Sequence, residues 1–186
     1  MKPIKTKKRK LLHDYGPYLK VEQHEVEFPD GTLIPDWHWV VTPGFVNIAA
    51  ISAEGTWLLF RQTKYAAEGV SIAPVGGYLE DGEDPLLAAK RELKEEMGYE
   101  SNDWTHLGTA PVDANRGGAM GHFYLARNAL FTGSIASDDL EEQELLEMTE
   151  IELRGALAAG DCKVVSWIAC FHMALAENQQ TPPPSS

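Results

Sequence analysis

Two cysteines, Cys162 and Cys170, are all that the 186 residues contain. That is too few for a disulfide framework or a thiolate zinc site. No apolar run reaches the length needed to cross a bilayer, and the N-terminus lacks the apolar stretch of a signal peptide. The 6 histidines are scattered without zinc-like spacing. Positive charge is scarce: 16 Lys and Arg stand against 28 Asp and Glu, for a formal net charge of −12. Such a balance argues against a general nucleic-acid-binding surface. What these absences leave is a soluble, cytoplasmic protein with neither nucleic acid nor membrane as a partner.

The chain has 44% hydrophobic residues, enough to bury a core in one domain or one domain with a small appendage. Its charge is uneven. The first ten residues, "MKPIKTKKRK", hold six of the 16 basic side chains and no acid. Residues 1–17 therefore read as a basic, disordered tail that activity does not need. The remaining body carries 10 basic against 28 acidic side chains. A body this acidic needs a divalent metal if it is to bind an anionic substrate.

Short, turn-bounded runs rich in β-branched and aromatic residues follow the tail, and they predict strands. Residues 18–43 form a small N-terminal β layer around the turn Pro29-Asp30-Gly31. "GFVNIAAI" and "TWLLFRQ" flank the hairpin signal "SAEG", and "VSIAPV" comes next. The period then changes. Asp84 can cap, Pro85 fits the first helical position and Gly98 fits the stop, which predicts a helix over 85–97. Two further strands, "WTHLGTAPV" and "GHFYLAR", flank a flexible loop, "DANRGGAM". Thr149 and Glu152 make a capping box for a second helix, and "KVVSWIACFHMALA" reads as a third, largely buried one. Residues 179–186 are expected to be a disordered tail, which leaves 44–178 as the main domain. Many strands with few helices suggest an α/β fold with a mixed sheet.

The helix over 85–97 carries the chemistry. At 100° per residue, Leu86, Ala89, Leu93 and Met97 fall within an arc of roughly 80°, the core stripe. Glu92, Glu95 and Glu96 fall within roughly 100° beside it. Carboxylates crowded on one face repel each other unless a cation sits among them. Hard oxygen ligands of this kind suit Mg²⁺ or, as a substitute, Mn²⁺. Arg91 can orient one of the acids by a charge-assisted hydrogen bond. For an arbitrary pair of glutamates, a solvated helix face is the better explanation.

The wider spacing overturns that explanation. Gly77, five residues, Glu83, seven residues and then "RELKEEMGY" resembles the Nudix box with every defining position filled. A chance match of this kind is expected on the order of once in a million chains. The resemblance implies the Nudix fold, an α/β/α sandwich with a mixed sheet, here with the small N-terminal β layer added. It implies that Glu92, Glu95 and Glu96 bind metal together with the backbone carbonyl of Gly76, and that Arg91 orients them. Glu83, at the loop–helix junction, is implied to be structural. The implied reaction is attack of water on a diphosphate linked to another group, X.

"VEFPDG", "WLLFRQTKY" and "GHFYLARN" resemble the ADP-ribose pyrophosphatase branch of that family. This implies a nucleoside diphosphate sugar as substrate, ADP-ribose or a relative, and a homodimer assembled through the N-terminal strands. Lys64 stands where the branch has a phosphate-touching basic residue. Glu142 and Glu144, in "DDLEEQELLEM", stand where it often has a further catalytic acid, and Arg116 in a substrate loop. Ile72 replaces the acid usual before the box. A housecleaning hydrolase of nucleotides or dinucleotides, and a Nudix domain that senses a ligand without turnover, remain as alternatives.

Overall fold

The computed structural model describes residues 1–133, 135 and 142–180. It divides into two compact units, Met1–Gly44 with Ala110–Met120 and Phe45–Thr109 with Gly121–Ser186. Residues 110–120, expected within the main domain, thus belong to the first unit.

The first unit is a meander of β1 (Lys5–Asp14), β2 (Lys20–Glu27) and β3 (Leu33–Val41), with a single 3-10 turn at Gly16–Tyr18. β1 corrects the expected disordered tail. Ten residues that look like a solvated arm pair antiparallel with β2, from Lys5 opposite Glu27 to Asp14 opposite Lys20. Complementary charge explains the pairing: β2 carries Glu22, Glu25 and Glu27, and Lys7 and Lys8 reach Glu27 and Glu25 at 2.9 and 3.8 Å. The Pro29-Asp30-Gly31 turn forms as its residues predict, with Gly31 at φ 90° and the Asp30 carboxylate accepting from the Thr32 N–H at 2.9 Å. β3 also pairs in parallel with Gly117 and Gly118, the first residues of β9 (Gly117–Phe131). "DANRGGAM" is accordingly a tight connection into β9, with the Asp113 carboxylate accepting from the N–H groups of Asn115 and Arg116. A Cβ at Gly117 would lie 2.3 Å from the Trp39 ring, so only glycine fits there. Trp39 stacks on the buried His24 at 5.3 Å, and the Trp37 indole donates to the Asn115 carbonyl at 2.6 Å.

The second unit is built on β4 (Phe45–Ser52), every residue of which from Val46 onward is buried. A strand buried along its whole length must be covered on both faces. α1 (Pro85–Met97) and α3 (Val165–Gln180) both pack against it. β4 runs parallel to β9, with Ile48 opposite Tyr124, and antiparallel to β5 (Trp57–Lys64) at Ala50 and Ile51. β5 continues the sheet to β6 (Ala67–Ala73) and to β10 (Gln143–Met148). Parallel and antiparallel neighbours therefore coexist: the sheet is mixed, as expected. β7 (Tyr99–Glu100) and β8 (Asp103–Asp113) complete the strands by pairing with β9.

β10 falls at the end of "DDLEEQELLEM", where no strand was expected. Leu145, Leu146 and Met148 pack on the core while Glu144 and Glu147 stay exposed, and Gln143 to Met148 pair with Gln62 to Trp57. A short edge strand with charged outer residues is a common way to end a sheet. α2 (Glu150–Ala159) starts at the expected capping box: the Thr149 N–H donates to Glu152 at 2.8 Å. α3 includes residues 179 and 180, which were expected in the C-terminal tail; the rest of that tail, 181–186, lies outside the described residues.

Candidate active site

α1 is positioned at both ends by local chemistry. The Asp84 carboxylate accepts from the N–H groups of Leu86 and Leu87 at 2.9 and 3.1 Å, and Gly98 at φ 74° closes the helix. Leu93 and Met97 are fully buried in the core. This docking fixes the rotation of the helix and turns Arg91, Glu92, Glu95 and Glu96 into a cleft of about 440 Å³. Glu92 lies deeper than the helical wheel suggests, at 8% exposure.

Ahead of the helix, "PVGGY" runs beside β4. The Ile48 N–H donates to the Val75 carbonyl at 2.8 Å and the Val46 N–H to the Gly77 carbonyl at 2.9 Å. Both glycines are required by space. A Cβ on Gly76 would lie 2.2 Å from the Val46 carbonyl oxygen, and one on Gly77 would lie 2.2 Å from Glu92 Oε1. The Glu92 carboxylate thus rests directly on the glycine backbone.

Arg91 holds the acids in place. It grips Glu83 with two hydrogen bonds at 3.0 and 3.1 Å, while one of its terminal nitrogens donates to Glu92 at 2.8 Å and Glu95 at 3.2 Å. Glu83 also accepts from the Glu80 N–H at 3.0 Å. The guanidinium holds the Glu83 carboxyl below its ordinary range, and Glu83 in return strengthens the protonation of Arg91. Glu92 shifts the opposite way. Burial raises its pKa, with Arg91 opposing and the nearby Glu95 and Glu83 charges adding to the rise.

Among the described residues no three acid, histidine or cysteine side chains are spaced as a formed metal site. Arg91 draws Glu92 and Glu95 onto its own nitrogens. The donors themselves fit a hard divalent ion. They are all carboxylate oxygens, and one of them sits in a space that a single methyl group would fill.

The other expected site residues divide. Lys64 and Gly76 line the same cleft as the acids. Glu142 and Glu144 do not: they line a neighbouring recess with Arg61 and Thr63, where Glu144 pairs with Arg61 at 3.6 Å. Gln143, which stands between them, lines both the cleft and that recess. Arg116 is exposed and lines a recess of the first unit with Trp37, His38 and Asp113. Several cleft residues were not among those expected, two buried amides among them. Asn47 and Gln62 are buried at 4% and 6% exposure, and among the described residues Asn47 Nδ2 and Gln62 Oε1 have no hydrogen-bond partner. The signal for Asn47 was available, as the lone amide inside the apolar run "GFVNIAAI".

The sequence profile of the NUDIX domain matches residues 42–168. The chain belongs to the Nudix family. Curated relatives of this Nudix hydrolase include a methanol dehydrogenase activator from Bacillus methanolicus, 30% identical over 142 residues, covering 76% of this chain and 75% of the relative. An ADP-ribose pyrophosphatase from Bacillus subtilis (strain 168) is 28% identical over 144 residues, with the same two coverages. A CMP-5'-(N-acetyl-N-hydroxy-3-aminopropyl)phosphonate hydrolase from Streptomyces rubellomurinus (strain ATCC 31215) is 29% identical over 151 residues, covering 81% of this chain and 72% of the relative. The crystal structure of an ADP compounds hydrolase superposes with a TM-score of 0.78 over 97% of this Nudix chain and 96% of its own, at 18% identity. That likeness shows the fold.

Proposed function

We propose that the protein is a Mg²⁺-dependent hydrolase that cleaves the diphosphate of a nucleoside diphosphate linked to another group, ADP-ribose or a related nucleoside diphosphate sugar. One observation carries the proposal: Arg91 gathers Glu83, Glu92 and Glu95 beside the Gly76-Gly77 backbone, at the wall of a cleft that also holds Glu96 and Lys64. Two relatives support it, one an ADP-ribose pyrophosphatase and the other a hydrolase of a CMP-linked phosphonate.

In this mechanism Glu92, Glu95, Glu96 and the Gly76 carbonyl would hold the metal, and Mn²⁺ could replace Mg²⁺. When bound, the ion neutralises phosphate charge and lowers the pKa of a water molecule. Arg91 fixes the acids in orientation, anchored in turn by Glu83. Lys64 meets a phosphate oxygen from the cleft wall as a point charge. Glu95 or Glu96 accepts the proton of the attacking water, and the diphosphate bridge oxygen leaves with the departing half. Glu142 and Glu144 stand in the adjoining recess, which shares Gln62 and Gln143 with the cleft.

The same reading includes a homodimer. β1 is exposed on both faces apart from the half-buried Leu12, and a strand this unprotected gains by packing against a second copy. The activity is tested by incubating the protein and Mg²⁺ with a panel of nucleoside diphosphate sugars, dinucleotides and nucleoside triphosphates, and weighing the products by mass spectrometry. Two monophosphates from a diphosphate sugar are expected. Cleavage of triphosphates or dinucleotides alone would point to a housecleaning enzyme, and tight binding without turnover to a sensor.

A further inference from the structure

The cleft is not uniformly acidic. Beyond the Arg91 cluster its wall carries uncharged amides, and two of them are left with unused polar atoms. Burying an amide donor or acceptor without a partner is unfavourable, and native proteins keep few such groups. Asn47 and Gln62 are two of them in one cleft, each more than nine-tenths buried. Their placement is tied to the candidate chemistry: Asn47 Oδ1 lies 2.8 Å from where a Cβ on Gly76 would stand, and the adjoining Gly77 supports Glu92. Asn47 is thus one backbone step from the carboxylates.

We propose that Asn47 and Gln62 form a specificity subsite that hydrogen-bonds an uncharged donor-and-acceptor group on the organic part of the substrate. The hydroxyls of a sugar and the amide edge of a nucleobase both offer that chemistry, because each amide side chain has one donating and one accepting end. The torsion that turns a terminal amide is soft, so either end can be presented to the ligand. Neutral amides suit this position. A cationic group would be drawn to the acids a step away, and an anionic one would be repelled by them. The subsite rests on the proposed diphosphate hydrolysis and adds what the substrate must carry beyond its phosphates.

The test uses binding, so that it does not depend on turnover. Isothermal titration with Mg²⁺ compares α,β-methylene ADP-ribose, α,β-methylene ADP and methylenediphosphonate on the wild type, Asn47→Leu and Gln62→Met. Each variant should bind the first ligand roughly tenfold more weakly. It should also keep its Tm or gain roughly 2–4 °C, because an unpaired amide has been replaced by an apolar group of similar size. Weakening confined to the ADP-ribose analogue places the recognised group on the sugar beyond the diphosphate. Weakening shared with the ADP analogue, but not with methylenediphosphonate, places it on the nucleoside. Both outcomes support the subsite. Equal weakening for all three ligands, unchanged affinity, a lowered Tm, or no binding of any ligand by the wild type overturns it. If the variants lose affinity as expected while the wild type hydrolyses no diphosphate, the subsite stands and the hydrolase reading alone fails.

Discussion

Arg91→Lys keeps a cation on the box helix and removes its geometry. The guanidinium makes two hydrogen bonds to Glu83, one each to Glu92 and Glu95, and a longer one to the Tyr78 carbonyl at 3.4 Å. An ammonium has three donors on a single atom and cannot span Glu83 on one side and two further carboxylates on the other. At least two charge-assisted contacts are lost, each of a kind worth about 1.5–3 kcal/mol when well buried. The Arg91 side chain is 27% exposed, and the charge is retained, so the sum is discounted to about 2 kcal/mol of stability. With a urea slope near 2 kcal/mol/M, the unfolding midpoint falls by roughly 1 M. Misorientation of the acids should cost kcat a further ~10–100-fold, the scale of a 1 Å displacement at a reacting centre. Urea unfolding followed by tryptophan fluorescence gives the first quantity and steady-state hydrolysis gives the second. A variant with both the midpoint and kcat of the wild type would refute the role given to Arg91.

Gly77→Ala places a methyl group against the Glu92 carboxylate; kcat should fall by at least ~10-fold, and normal kinetics would show that Glu92 need not rest there. The pH dependence of stability follows from Glu83, whose pKa lies below the ordinary 4.5 because Arg91 favours its charged form. A depressed carboxyl stabilises the fold above its unfolded pKa and loses that contribution as pH falls through its folded value. Glu83→Gln should therefore destabilise at neutral pH and flatten the loss below pH 4.5, and parallel acid profiles for the two proteins would contradict this. Light scattering should give twice the 20.6 kDa chain mass; a fully active species at the single-chain mass rules out the dimer.

The box helix was legible because each of its boundaries is set by a local residue. Asp84, Pro85 and Gly98 act within one turn, and the Nudix spacing is itself a helical pattern. β1 was hidden because its stabilisation is not local. A run of lysines looks solvated until Glu22, Glu25 and Glu27, some twenty residues later in the case of Lys7 and Glu27, come to lie across from it. β10 was hidden for a related reason: its acids suggested solvent, whereas Leu145, Leu146 and Met148 already carried a half-buried pattern. Glu142 and Glu144 were named from their place in the family resemblance, which does not say that Gln143 between them also lines the cleft. Asn47 was passed over inside an apolar strand, where burial alone cannot distinguish packing from recognition.

The central claim is that the carboxylates of α1 run a metal-dependent hydrolysis, and Glu96→Gln tests it most directly. The change keeps the side chain's shape and removes its charge. With saturating Mg²⁺ and the best substrate of the panel, kcat should drop by at least ~100-fold, the scale of losing one key electrostatic group, while the unfolding midpoint stays near that of the wild type. Turnover by the variant at the wild-type rate would contradict the account.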